Sequence, residues 1–461
     1  MSARFASTVL FLSALAGCGS GASSTSSATG NPHTSGGGGG NAEVAATREI
    51  WTPYVIPSTR TEPVLYEVVT TGRPGTVTLT VDATTIALRD DGQGGDKVAG
   101  DGTWSVQLPV AAILAKNTPD RVNRPYFGSL RLNGSAPGYN VIAEVWTPDL
   151  GTRSATPIPG GQETDYLVNY TASTEQLTRF DPAFWARTFY ANHPDEFDFL
   201  NFVLVGGVRD NRSHRNVRVT VSGLGIDPID GSAGWGSASR LQGVNVYPLS
   251  STLDHGAKGF LHETGHQWIS YLRMTPFGPA NPHWPKGSVA TGIMGFSMPP
   301  GAVGGEFPYS FTGDGKGGYV AGPQDPMDRT TFSMIELYMM GLAGPDEVPE
   351  YFVLKNQVLD LAPGQVLGIN DIEKIRVSDI IAAAGPRTPG VATSQKAFRS
   401  ATIILSERPL DTAAISLYDY FVRRGETRVE LPCAEGVIGG LTCKPWYLAT
   451  RGRSTMSLRI R

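Results

Sequence analysis

Charge is scarce in this chain: Asp, Glu, Lys and Arg make up 17% of its 461 residues, against roughly 25% in ordinary soluble domains. Coiled coils, long single helices and charge-driven disordered chains are thereby excluded. The 38 Lys and Arg against 42 Asp and Glu give a net charge of −4, and no Lys/Arg cluster supplies a local basic footprint, so nucleic acid is not an expected partner. No apolar run reaches the roughly 20 residues that cross a bilayer as a helix. Cysteine numbers three and histidine seven. What the chain has instead is 56 Gly and 33 Pro with 40% apolar residues, enough for a core in two or three domains and a loop-rich, β-containing texture typical of proteins outside the cytoplasm.

Residues 1–18 read as a signal segment. Arg4 precedes an apolar stretch from Val9 to Ala16, which at about eight residues is too short to span a membrane. Its end, Leu15-Ala16-Gly17-Cys18, resembles the lipobox of bacterial lipoproteins, which implies lipid on Cys18 and a cell-envelope location with attachment to a membrane by lipid alone. An ordinary signal peptide is the alternative. Residues 19–42, nearly all Gly, Ser, Thr, Ala and Asn, form a flexible tether. The remaining pair, Cys433 and Cys443, is expected to close a local disulfide in an oxidising compartment.

An α+β chain is expected overall. Over residues 46–150, apolar residues alternate with polar ones at Val77, Leu79 and Val81 and again at Trp104, Val106, Leu108 and Val110, the pattern of an antiparallel β-sandwich. Within it, Asp90, Asp91, Asp96 and Asp101 fall in twelve residues; they either gather oxygens around Ca²⁺ or build Asp-Gly turns. Residues 151–180 read as a Pro/Gly/Thr connector, 181–345 as a catalytic domain, and 346–461 as an α+β part that either stands alone or completes the preceding one. Expected elements include a helix opened by Asp181-Pro182, strands at Phe199–Val205, Val217–Val221 and Leu241–Leu249, a helix over Ala257–Leu272, helices at Val377–Ala384 and Ala413–Arg424, and strands at Ala401–Ser406 and Thr455–Ile460.

One segment carries chemistry. His262, Glu263 and His266 spell HExxH, a pattern expected by chance on the order of 0.005 times in a chain with this few histidines. On a helix, positions i and i+4 share one face, so both imidazoles reach one metal ion while Glu263 projects beside them as a general base. A third ligand is needed. Glu336, a lone carboxylate among apolar residues in the helical run around Met334 to Met340, is preferred because an unpaired buried carboxylate is costly. His283 is the alternative, followed by Asp314, Asp325 and Asp328. His255 reads as a cap or surface residue, and His193 and His214 carry no assigned role.

These motifs resemble the active-site helix of zincin metallopeptidases, with Glu336 placed as in the gluzincin branch. The strings HETGHQW and SMIELYMMGL are similar to the HExGHxW and SxxELYxMGL patterns of bacterial lipoprotein metallopeptidases, over roughly residues 195–350. The chain departs from the metzincins, having Leu272 where a third His would stand, and lacks the second-helix strings of thermolysin-like and aminopeptidase-N-like enzymes. The resemblance implies a zincin-like α+β catalytic domain, a Zn²⁺ cofactor, and hydrolysis of a protein or peptide substrate with Glu263 as base. It also implies an oxyanion-stabilising donor, for which His283 or Tyr319 is the candidate, and a substrate-pairing edge strand, which Gly243 to Tyr247 would supply unless it is an ordinary core strand. The competing expectations are a surface binding lipoprotein with a structural metal and a zinc hydrolase acting on a non-peptide bond.

Overall fold

The computed structural model describes residues 46–461 apart from 71–73, 82–83, 116–125, 133–138, 207–211, 248–258, 270, 276, 278–282, 291, 296–308, 324–329, 357–360 and 433–441. The chain is mixed α+β with several antiparallel sheets. Cys18 and Cys433 lie outside the described residues, and with Cys433 the expected disulfide to Cys443. Among the described residues no helix is long and apolar enough to cross a membrane.

The first part is built as its period-two pattern dictates. Val64–Thr70 alternates strictly between buried and half-buried positions and pairs antiparallel with Ala46–Thr52 and Thr103–Leu108. A second antiparallel sheet runs Thr84–Ala87, Val77–Val81, Tyr126–Leu132, Tyr139–Ile142. Side chains of both sheets meet in one core, including Trp51, Tyr66, Val68, Leu79, Trp104 and Val141. In the acidic turn, Asp90, Asp96 and Asp101 come together while Asp91 turns away to Arg89, 2.6 Å from Nη2. Asp90 accepts from the amides of Gly100 (2.8 Å) and Asp101 (3.1 Å), and Asp101 from that of Thr103 (2.7 Å). Backbone bonds of this kind are what Asp-Gly turns use.

The second part is organised on an eight-stranded mixed sheet. Its order is Thr156–Ile158, Gly161–Glu163, Leu167–Thr171, Ala397–Ser406, Phe199–Val205, Gly243–Tyr247 and Ser213–Asn216, with Thr455–Ser457 pairing alongside the start of Ala397–Ser406. The expected connector is thus corrected: residues 156–171 are three strands of this sheet. They are short and carry little alternation, and their tertiary partners make them strands: Val168 and Tyr170 enter the aromatic cluster around Trp185 and Phe189. From 346–461, Ala397–Ser406 stands in the middle of this same sheet.

Phe199–Val205 is buried at all seven positions, as a strand covered on both faces must be. Leu200, Phe202 and Leu204 pack with Trp185 and Phe189 of the helix Pro182–Tyr190. Val203 and Val205 pack on the opposite face with Ile415, Leu417 and Tyr418 of the helix Thr412–Arg424. Asp181 caps the first helix, accepting from the Ala183 amide at 2.9 Å. Gly243–Tyr247 is a core strand, paired parallel to Phe199–Val205 and antiparallel to Ser213–Asn216; among the described residues Ser213–Asn216 ends the sheet.

A polar ladder crosses the middle of this sheet. Asn201 Nδ2 donates to Ser400 Oγ (2.8 Å), and Asn245 Nδ2 donates to Asn201 Oδ1 (2.9 Å) and to Thr264 Oγ1 (3.1 Å). Asn201, Asn245, Thr264 and Ser400 are all buried, so each depends on the others for its hydrogen bonds. The last rung leaves the sheet for the helix Gly259–Gly265 and sets that helix's register against the strands. Replacing Asn245 with Ala strands the groups on either side of it, and the free energy of unfolding, measured by urea denaturation, is expected to drop by about 2–4 kcal/mol.

Candidate metal centre

The motif helix, described over Gly259–Gly265, is buried at every position and ends earlier than its pattern suggests. After Gly265 it tightens into single turns, with the His266 amide shared between the carbonyls of His262 (3.3 Å) and Glu263 (3.2 Å). That bond keeps the i, i+4 relation between the two histidines, whose ring centroids lie 4.8 Å apart. Gly265 is where the helix meets its neighbours: a Cβ there would stand 2.5 Å from Met294 Sδ and 3.2 Å from Phe332 Cε1.

Three imidazoles converge. His262, His266 and His283 each offer a ring nitrogen within 4.8 Å of the others; the first two are buried and His283 is half-buried. His262 Nδ1 lies 2.9 Å from the carbonyl of Ile293. A carbonyl only accepts, so Nδ1 carries the proton and Nε2 presents a lone pair. That Nε2 is 3.2 Å from His283 Nε2. Two lone pairs at this separation repel unless a proton or a cation sits between them. Two nitrogens each about 2.0–2.1 Å from a tetrahedral ion stand about 3.3–3.4 Å apart, so the spacing fits a shared metal. Burial, followed by electrostatic opposition from His283, His214 and Arg212, holds His266 well below the ordinary histidine range, which keeps it neutral, as a ligand must be.

Glu336 does not join this group. It is fully buried, as its apolar surroundings suggest, but its oxygens are already engaged. Oε2 accepts from the Ser333 amide at the start of the helix Met334–Met340 (2.7 Å), and Oε1 from Trp284 Nε1 and from the Met294 amide (3.1 Å each). Gly292 makes room for it: a Cβ at that positive-φ position would lie 2.5 Å from Glu336 Oε2. The expectation of Glu336 as third ligand therefore gives way to His283. Glu336 instead ties down Trp284, next to His283, and Met294, next to the Ile293 carbonyl that orients His262. Burial pushes its carboxyl up to about 7, against the opposing pull of its hydrogen bonds.

Glu263 lies outside the histidine group, with both oxygens buried and neither in a directed hydrogen bond. Arg212 Nε stands 3.0 Å from Oε1 as its ion-pair partner. Burial raises the Glu263 carboxyl to about 7, and Arg212 opposes that rise. Tyr247 has its hydroxyl buried nearby, and burial together with the Glu263 charge raises it well above the ordinary tyrosine range.

The remaining expectations resolve individually. His214 holds Asn245 Oδ1 at 2.7 Å and Asn216 Oδ1 at 3.0 Å, so it supports the ladder behind the motif. Tyr319 packs against Phe352, centroids 4.8 Å apart, with Lys374 Nζ 5.6 Å from its ring, and is not in the histidine group. Asp314 closes a turn on the Lys316 and Gly318 amides. His193 contacts Glu163 Oε2 at 2.8 Å. His255, Asp325 and Asp328 lie outside the described residues. Arg212 went unassigned in the sequence because nothing marks an arginine in a polar stretch as the partner of a carboxylate 51 positions later.

Comparison of the chain with protein-family models, with curated proteins and with solved structures returns no match.

The site makes a direct prediction about metal content. His283→Ala is expected to abolish stoichiometric binding of zinc added to the purified chain. Glu336→Gln, which loosens the supports of two ligands, is expected to weaken it about 10–100-fold. Elemental analysis after dialysis against graded zinc reads both; full retention by His283→Ala with loss in Glu336→Gln would reverse the ligand assignment.

Proposed function

We propose that this chain is a metal-dependent peptidase, with zinc held by His262, His266 and His283 and with Glu263 as general base. The observation that carries the reading is the separation of roles within one helical turn. Three imidazoles face one another, while the adjacent buried carboxylate stays out of their group and keeps both oxygens clear of directed hydrogen bonds.

A metal ion bound there supplies Lewis-acid polarisation of water and of a carbonyl oxygen. The chain's own residues supply the rest. Ile293 fixes the tautomer of His262, Glu263 Oε1 or Oε2 takes the proton from the attacking water, and burial of the helix excludes bulk solvent. Ser213–Asn216, last in the sheet among the described residues and paired to Gly243–Tyr247, offers an edge along which an extended peptide would add as a further strand. The lipid on Cys18 and the tether to residue 42 would hold this domain at the cell envelope.

A structural metal site is less well supported, since such sites close with four protein ligands, and among the described residues no fourth His, Cys, Asp or Glu joins the three. Glu263→Gln separates the readings. It is expected to retain zinc by elemental analysis while cleavage of an unstructured protein falls by about 10²–10⁴-fold; cleavage at the wild-type rate would remove Glu263 from the mechanism.

A further inference from the structure

We infer that Arg212 is the positioning residue of Glu263, holding the carboxylate by charge from the side without consuming its acceptor sites; the inference rests on the reading of Glu263 as the base. Glu263 is fully buried, and a carboxylate so placed needs a counter-charge. Arg212 provides it at 3.0 Å with a side chain only 13% exposed. The closest approach is from Nε to Oε1. The usual two-pronged grip of a guanidinium would occupy both oxygens, whereas here neither oxygen receives a directed hydrogen bond, so either one can take a proton.

The sheet fixes where Arg212 stands. It immediately precedes Ser213–Asn216, whose register pairs Ser213 with Val246 and His214 with Asn245, so Arg212 falls beside Tyr247. The same Asn245 is bonded to Thr264, the residue after Glu263. Edge strand, ladder and motif helix therefore place the guanidinium and the carboxylate from two sides of one hydrogen-bonded frame. A long, partly exposed cation held only by its own flexibility would lose rotamer entropy to do this; Arg212 directly adjoins a strand whose register is fixed.

The test is a double-mutant cycle in the full chain, with Arg212→Gln, Glu263→Gln, the double variant and Arg212→Lys. Arg212→Gln is expected to lower the thermal midpoint by roughly 5 °C or more in the wild-type background and by much less in the Glu263→Gln background, with zinc content unchanged. On an unstructured protein substrate it is expected to lower kcat about 10- to 100-fold with KM nearly constant, and Arg212→Lys to recover part of that loss. Should Arg212→Gln not fold, a folded double variant shows the coupling by itself, and a double variant that also fails to fold overturns it. Equal midpoint losses in the two backgrounds, or a change confined to KM, overturn the inference while leaving Glu263 as the base. Coupling in a wild-type chain that cleaves nothing removes the peptidase reading and, with it, any positioning role.

Discussion

The hydrogen bond from Asn245 to Thr264 is the contact on which the rest of the site depends. A helix as short as Gly259–Gly265 is marginal by itself, since forming the first turn costs more than its few internal bonds return. Its position comes from what it touches. The ladder from Ser400 through Asn201 and Asn245 fixes it along the sheet, and Phe260, Leu261, Trp268 and Ile269 bury it in the same core as Trp284, Met294 and Phe332. Once that register is set, His262 meets the Ile293 carbonyl, His283 meets His262, and Glu263 meets Arg212. Each of these contacts joins segments far apart in sequence, so none of them is available to the helix in isolation.

Glu336 shows how one physical premise supports two different roles. A lone carboxylate among Ile335, Leu337, Met339 and Met340 must be compensated, and that much is legible in the residues. Compensation by a metal and compensation by three N–H donors satisfy the premise equally well. The sequence pattern does not distinguish them, because the donors belong to Ser333, Trp284 and Met294, two of which are held in place only by the folded loops. The carboxylate thereby braces Trp284 beside His283 and Met294 beside the Ile293 carbonyl that meets His262.

Legibility followed locality elsewhere too. Phe199–Val205 and Val377–Ala384 are found with the ends their residues imply, because a continuous apolar run and an amphipathic helix carry their own signals. Val77, Leu79 and Val81 are buried as their alternation requires. Residues 156–171 failed this test, being short strands defined by neighbours rather than by pattern, and so did the edge strand, where polar Ser213 to Asn216 have nothing apolar to announce them. His262 and His266 were readable as a pair from spacing alone. His283 was one candidate among several until the loop carrying it was placed, and Arg212 had no local signal at all.

The strand order of the main sheet has a consequence for how the molecule comes into being. Ala397–Ser406 lies between Leu167–Thr171 and Phe199–Val205 and bonds to both, yet it is made some two hundred residues after them. Until it arrives, each of those earlier strands keeps an open edge, and Asn201 lacks the Ser400 hydroxyl that begins the ladder. The histidines of the motif are thus synthesised long before the frame that aligns them. The frame of the centre is complete only when the long-range pairing of this C-terminal strand has closed the sheet.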